Sequence, residues 1–373
     1  MSTSTKATVS KLFLHLLGAA IWDTPADAKL FEELAPNTWS EIEEMARRQS
    51  VSALIADKAL SLPKGSLPPK ALTLQFMVVI SQTEALNKKM TGVLADISEE
   101  YRAANFPFCL LKGLSNGVNY PKPLLRNAGD IDLLLYNKGD YDKGKVWCKE
   151  RGFEIEDGDH IHYAFDKDGI RIENHRRISY FDSKKHDTLF KEREAELAKH
   201  QNFSAVQIDN MTVKQLPVEM NAFFIFQHMF RHFVHLGVAF RQYCDWLLFL
   251  AKHRDEIDAT RFTATAQSYA LLYPMQLFAR DAVKHLDAPK EIFPFEMIEG
   301  GKHANWIIED VLNSGNFGFH RVGKQRPQEK LRGMWFSYKT TVARSVKFGA
   351  IAPQHIRMLP MKKLINRLKI GFR

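Results

Sequence analysis

The chain has 373 residues, 45% of them hydrophobic, and a formal charge of +9; it can bury a real core, is long for one compact domain, and favours an anionic partner such as a nucleotide, a nucleic acid or a membrane face. Three scattered cysteines, Cys109, Cys148 and Cys244, exclude a disulfide framework or a zinc knuckle and fit a reducing cytoplasm. The apolar run 12–22 follows Lys6 and Lys11 as in a leader, but His15 interrupts it and no small-residue cleavage site follows, so a first core helix is expected.

Up to about residue 105 the pattern is helical. Trp39, Ile42 and Ala46, then Val51, Leu54 and Ile55, recur at three and four residues, and a long helix is expected over 69–104 after Pro68 and Pro69. The texture changes at Phe106. Short apolar or alternating runs at 108–111, 130–136, 153–155, 161–165 and 170–174 read as strands, with helices at 113–120 and 141–151 between them. A charged helix over 186–200 and a hairpin of 204–209 with 212–216 follow. This is an α+β pattern with a mixed sheet. Helical spacing resumes over 217–285, with a break near 254–258, and again over 295–312. The stretch 223–251 is the most apolar, yet His228, Arg231, His232, His235, Arg241 and Asp245 punctuate it, so no membrane span is expected. From 321 to 373 the only acid is Glu329 among many lysines and arginines, a segment suited to a phosphate backbone or a membrane surface.

The chemistry gathers in 110–135, LLKGLSNGVNYPKPLLRNAGDIDLLL. On a strand, Asp130 and Asp132 point to one side while Ile131 and Leu133 take the other, so two carboxylates converge on one point. Such a pair suits Mg²⁺, a hard ion that shares its shell with substrate phosphates. Lys112 and Gly113 end the preceding strand and open the short helix, whose N-terminus can receive phosphate with Lys112 beside it. Arg126 offers a planar fork either to phosphate oxygens or to the aspartates. Glu173, on the alternating strand 170–174, adds a third carboxylate if that strand lies next to 130–136, and three acids can hold two ions.

The ordered set, an apolar-Lys112-Gly113 turn, Tyr120, Arg126, Asp130-Ile131-Asp132 and then Glu173-x-His175, resembles the DNA polymerase beta-like nucleotidyltransferase superfamily. It is similar in particular to its uncharacterised bacterial nucleotidyltransferases and to the toxin nucleotidyltransferases of abortive-infection systems. The resemblance implies a polymerase beta-like core over 105–216, between helical regions at 1–104 and 217–314, with a basic segment at 315–373. It further implies Asp130, Asp132 and Glu173 as catalytic metal ligands, and Lys112, Gly113, Ser115 and Arg126 at the nucleotide. His175, His228, His232, Arg241 and Asp245 would support them. The expected cofactor is Mg²⁺ or Mn²⁺, the donor an NTP such as ATP, and the acceptor a hydroxyl on a protein, an RNA or a small molecule. Where the superfamily carries Gly-Gly or Gly-Ser, this chain has Gly113-Leu114, with Ser115 one place late.

The other readings are plainer. His228 and His232, four apart, lack the glutamate of an H-E-x-x-H zinc site, since Met229 follows His228. They read as core or nucleotide-facing residues. Arg241 and Asp245 most simply form a pair on a helix surface. His175 shares a face with Glu173 and either orients it or contacts substrate. A different class of function, a non-catalytic nucleotide-binding module that uses its basic segment for nucleic acid or membrane, is the alternative to an enzyme.

Overall fold

The computed structural model describes residues 3–158, 160–301, 303, 305–315, 327 and 329–371. Helices α1 (Thr3–Ile21), α2 (Pro36–Arg48), α3 (Ser52–Leu60) and α4 (Lys70–Ala103) lead. The long helix expected over 69–104 is α4, and Asn105, at φ 57°, takes the left-handed turn that ends it. Next come β1 (Phe108–Leu110), the single turn α5 (Leu114–Gly117), β2 (Ile131–Leu135) and α6 (Asp140–Glu150). The strands β3 (Glu156–Asp157), β4 (His162–Lys167) and β5 (Ile170–His175) follow. Then α7 (Lys184–His200) leads into the hairpin of β6 (Ser204–Ile208) and β7 (Met211–Gln215).

These strands form one mixed seven-stranded sheet in the order β3-β4-β5-β2-β1-β7-β6. β2 runs parallel to β5 and β1 parallel to β7, and the other pairs are antiparallel. Two expectations change. Residues 153–155 lie outside any strand, and the helix expected over 113–120 is one turn long, because the chain leaves it at Val118 for the loop that carries Arg126.

Alternation sets the two faces of the sheet. Ile131, Leu133 and Leu135 of β2, with Ile170 and Ile172 of β5, pack against Val93, Leu94, Ile97 and Tyr101 of α4 and Trp147 of α6. Asp132 and Leu134, with Glu173 and His175, take the opposite face. On that side Leu134, Cys109 and Leu111 join a larger core built by the helical body.

That body consists of α8 (Val218–His235), α9 (Phe240–Lys252), α10 (Ala259–Ser268), α11 (Leu272–Leu286) and α12 (Trp306–Ser314). It continues with α13 (Lys330–Phe348), α14 (Pro353–Ile356) and α15 (Leu359–Gly371). The spacing over 217–253 reads as one helix, but Gly237, at φ 115°, breaks it into α8 and α9 and lets α9 return beside α8. The spacing over 295–312 also overstates the helix, of which only α12 forms among the described residues. The first helices share this core: Trp22 Nε1 donates to Leu286 O at 2.6 Å, and a Cβ on Gly18 would stand 3.0 Å from the same oxygen.

Of the basic segment, residues 316–326, 328 and 372–373 lie outside the described residues. Its described part is anchored in the core at some positions and exposed at others, Trp335 and Val346 among them. Arg344 pairs with both oxygens of Asp310 at 2.7 and 3.1 Å, and Phe348, Ile351, Ile356 and Leu359 are buried in the common core. No described helix is long and apolar enough to cross a membrane.

Candidate active site

The sheet and the helical body enclose a cavity of about 600 Å³, lined by Lys112, Asp130, Asp132, His162, Glu173 and His175 from the sheet and by His228, Arg231, His232, Arg241 and Asp245 from α8 and α9. Parallel pairing of β2 with β5 sets Asp132 directly beside Glu173. Asp130 stands two residues earlier, just ahead of the strand, and reaches the same point: one oxygen from each of the three carboxylates lies within 4.8 Å of the others.

Lys112 and His175 face these acids. Lys112 Nζ lies 2.5 Å from Asp132 Oδ2 and 3.4 Å from Asp130 Oδ2. His175 Nε2 lies 2.9 Å from Asp132 Oδ1 and 3.4 Å from Glu173 Oε2. Burial pulls both toward neutrality, but the carboxylates outweigh it, and Lys112 and His175 each hold their proton above the ordinary pH range for their type. Burial alone would raise the Glu173 carboxyl; the His175 hydrogen bond and the Lys112 charge bring it below its usual value.

The turn after β1 is built for close approach. Gly113 has φ 70° and ψ −112°, and a Cβ there would stand 3.0 Å from Asp130 O, so only glycine lets the Lys112 backbone pass this close to the acidic strand. Asp132 Oδ2 is buried with no aligned hydrogen-bond partner, and its contact with Lys112 is one of charge. An all-oxygen trio whose buried Asp132 Oδ2 meets only the Lys112 ammonium fits a hard divalent ion such as Mg²⁺.

Several expected site residues are placed differently. Arg126 is not turned to the aspartates of β2: its Nε and NH2 donate to the two oxygens of Asp245, each at 2.7 Å, with both residues buried. The Arg126 fork is therefore already engaged, and a phosphate could meet only its remaining edge. Nor do Arg241 and Asp245 form a surface pair. Asp245 also accepts from Tyr120 Oη at 2.8 Å and from Asn116 Nδ2 at 3.3 Å, while Arg241 NH1 donates to Asn127 O at 3.0 Å. Burial raises the Asp245 carboxyl, but Arg126, with Arg241 and Tyr120, more than reverses that. Ser115 is 1% exposed, and its hydroxyl turns back to Lys112 O at 3.4 Å, away from the cavity.

His228 and His232 do face the cavity. Their Nε2 atoms are 3.1 Å apart, and burial, with the charges of Arg231 and Lys112, holds both well below the ordinary histidine pKa, so they are neutral partners of one hydrogen bond. His235 points elsewhere and pairs with Asp182 at 2.8 Å. His162, to which the sequence alone assigns no role, also lines the cavity. Asp168 and Gly169 take the left-handed turn of a tight hairpin, at φ 53° and 71°, which fixes the register and pairs His162 with His175.

The family model described as "Uncharacterised nucleotidyltransferase" matches residues 35–287. The chain belongs to this nucleotidyltransferase family. The matched span takes in all seven strands and the helices α8 and α9, hence both walls of the cavity. No curated protein matches the chain. Among solved structures, the crystal structure of an antigenic nucleotidyltransferase-like protein from Paracoccidioides brasiliensis is similar at 14% identity and a TM-score of 0.34, over 53% of this chain and 91% of that one.

Proposed function

We propose that this family member moves a nucleoside monophosphate from an NTP to an acceptor hydroxyl, releasing pyrophosphate, with a polymerase beta-like core over 105–216 as the catalytic part. The observation that carries the reading is the side-by-side placement of Asp132 and Glu173 in the parallel pair, with Asp130 within reach and a lysine between them. Asp130, Asp132 and Glu173 would hold Mg²⁺ or Mn²⁺. When bound, such an ion supplies neutralisation of phosphate charge and a more acidic hydroxyl.

The chain's own groups supply the rest. In the transfer, the acceptor oxygen bonds to the α-phosphorus, the bond from that phosphorus to the bridging oxygen breaks, and pyrophosphate leaves with the electron pair. The hydroxyl proton passes to the Glu173 carboxylate, which its low pKa keeps ionised and which His175 orients. Lys112 adds a positive charge at the mouth of the Gly113 turn for the phosphate oxygens. The Arg126–Asp245 pair, with Tyr120 and Asn116, holds the loop 113–126 against α9 and so fixes where Lys112 stands.

The test incubates the full chain with each α-labelled NTP, with Mg²⁺ or Mn²⁺ and with cell extract, and compares Asp130→Asn and Asp132→Asn. Label transfer by the wild type and a loss of about 10³-fold or more in either variant is expected, on the order of 4 kcal/mol of transition-state stabilisation. No transfer by the wild type with any nucleotide, in samples that bind NTP, sinks the proposal.

A further inference from the structure

The β4–β5 hairpin brings together a second set of donor atoms beside the all-oxygen trio. His162 and His175 are cross-strand partners with ring centroids 5.1 Å apart. Glu173 Oε2 lies 3.8 Å from His162 Nε2 and 3.4 Å from His175 Nε2. One donor atom from each of the three lies within 4.8 Å of the others, and all three residues line the cavity. The His162 ring is seated over Gly158, where a Cβ would overlap the imidazole, so the backbone leaves room for this ring position.

We propose that His162, Glu173 and His175 form a second divalent-cation site, nitrogen-rich where Asp130, Asp132 and Glu173 offer only oxygen, with Glu173 shared between the two. Two imidazoles and a carboxylate select Mn²⁺, Co²⁺ or Zn²⁺ over Mg²⁺, which prefers an all-oxygen shell. The hairpin thus makes two neighbouring sites of different hardness, and the chain can hold two different ions at once. The competing arrangement is an imidazolium on His175 that bridges Asp132 and Glu173 as a hydrogen-bonded cation. The two arrangements exclude each other, because a nitrogen bound to a metal cannot also carry the bridging proton.

The full chain, stripped with a chelator, is titrated with Co²⁺ in saturating Mg²⁺, which holds the oxygen trio. Binding is counted by equilibrium dialysis and followed by the visible absorption of Co²⁺, which reports nitrogen ligands. The expected result is one equivalent of Co²⁺, with affinity reduced about tenfold or more in His162→Ala and unchanged in His228→Ala. His162→Asn, closer in size, repeats the loss if the alanine variant melts early. No Co²⁺ bound in Mg²⁺, wild-type Co²⁺ binding by both His162 variants, or a loss that follows His228→Ala instead, each overturns the proposal. Label transfer measured on the same samples separates this inference from the proposed activity. Co²⁺ binding lost in His162→Ala, without transfer by the wild type, keeps the ion site and removes the enzyme. Transfer by the wild type without Co²⁺ binding does the reverse.

Discussion

The two walls of the cavity carry charge in different ways. On the sheet wall, three carboxylates meet Lys112 and His175, and Asp130, Lys112 and Glu173 keep 34%, 20% and 20% of their side chains in contact with solvent. On the helical wall, Asp245 is nearly closed off and paired with Arg126 of the facing loop, and burial disfavours a charge on His228 and His232. The sheet wall holds charge that a ligand can still reach. The helical wall uses its charge to fix a loop. From the sequence, the sheet residues are expected to hold the metal and the helical residues to support them; the structure adds how Asp245 does so, by holding the loop of Arg126.

The largest effect that can break this contrast is Asp245→Asn. The amide keeps the shape but leaves the Arg126 guanidinium buried without a counter-charge, so a loss of about 3–5 kcal/mol is expected in urea unfolding. A loss under about 1 kcal/mol would mean that the pair is not what anchors the loop.

Next in size is a pH effect away from the cavity, where α7 packs on the helical body. His186 of α7 is packed among Phe181, Tyr269 and His355, and burial, with the charges of His355 and Lys185, lowers its pKa to about 4. A histidine with a depressed folded pKa takes its proton in the unfolded chain first. Stability is therefore full above about pH 6.5 and falls as the pH drops from there to about 4, by up to about 3 kcal/mol. His355 shifts in the same direction and adds to the slope. Thermal melting across that range should flatten in His186→Leu, and an unchanged slope would assign the acid sensitivity elsewhere.

Smaller again is Gly113→Ala. The left-handed φ and the 3.0 Å approach of a Cβ to Asp130 O cost about 1–3 kcal/mol of stability. Because the strain pushes Lys112 and Asp130 apart, transfer should fall more than stability alone explains. Equal losses in both would make the glycine a matter of folding only.

What the sequence disclosed follows from the range of the forces involved. The strands of Asp132 and Glu173 were readable because alternation is local, though Asp130 falls just ahead of β2, and β5 does lie beside β2, the condition on which Glu173 joins the pair. α4 was readable because its spacing runs unbroken between Pro69 and Asn105. The Arg126–Asp245 pair was not, since its partners are 119 residues apart and either is equally plausible as a surface charge until α9 is placed. The break at Gly237 was hidden by apolar residues that continue on both sides of it. His162 was within reach, since it and His175 are equidistant from the Asp168-Gly169 turn, but this shows only once the hairpin register is worked out.

The finest test of the contrast is Lys112→Met. Lys112 Nζ stands against Asp132 and Asp130, where a divalent ion on the carboxylate trio would find its charge already answered. Removing the ammonium removes that competitor, so Mg²⁺ affinity, read by calorimetry, should rise about tenfold, roughly 1.4 kcal/mol. In chelator the same variant should melt below the wild type, because Asp132, with a side chain 0% exposed, loses a counter-charge; Mg²⁺ should restore it. No such rescue is expected for Asp245→Asn, whose unpaired group is a cation. If Mg²⁺ leaves the Lys112→Met melting point unmoved, the lysine is a structural counter-ion, and the sheet wall is as closed to ligand as the helical one.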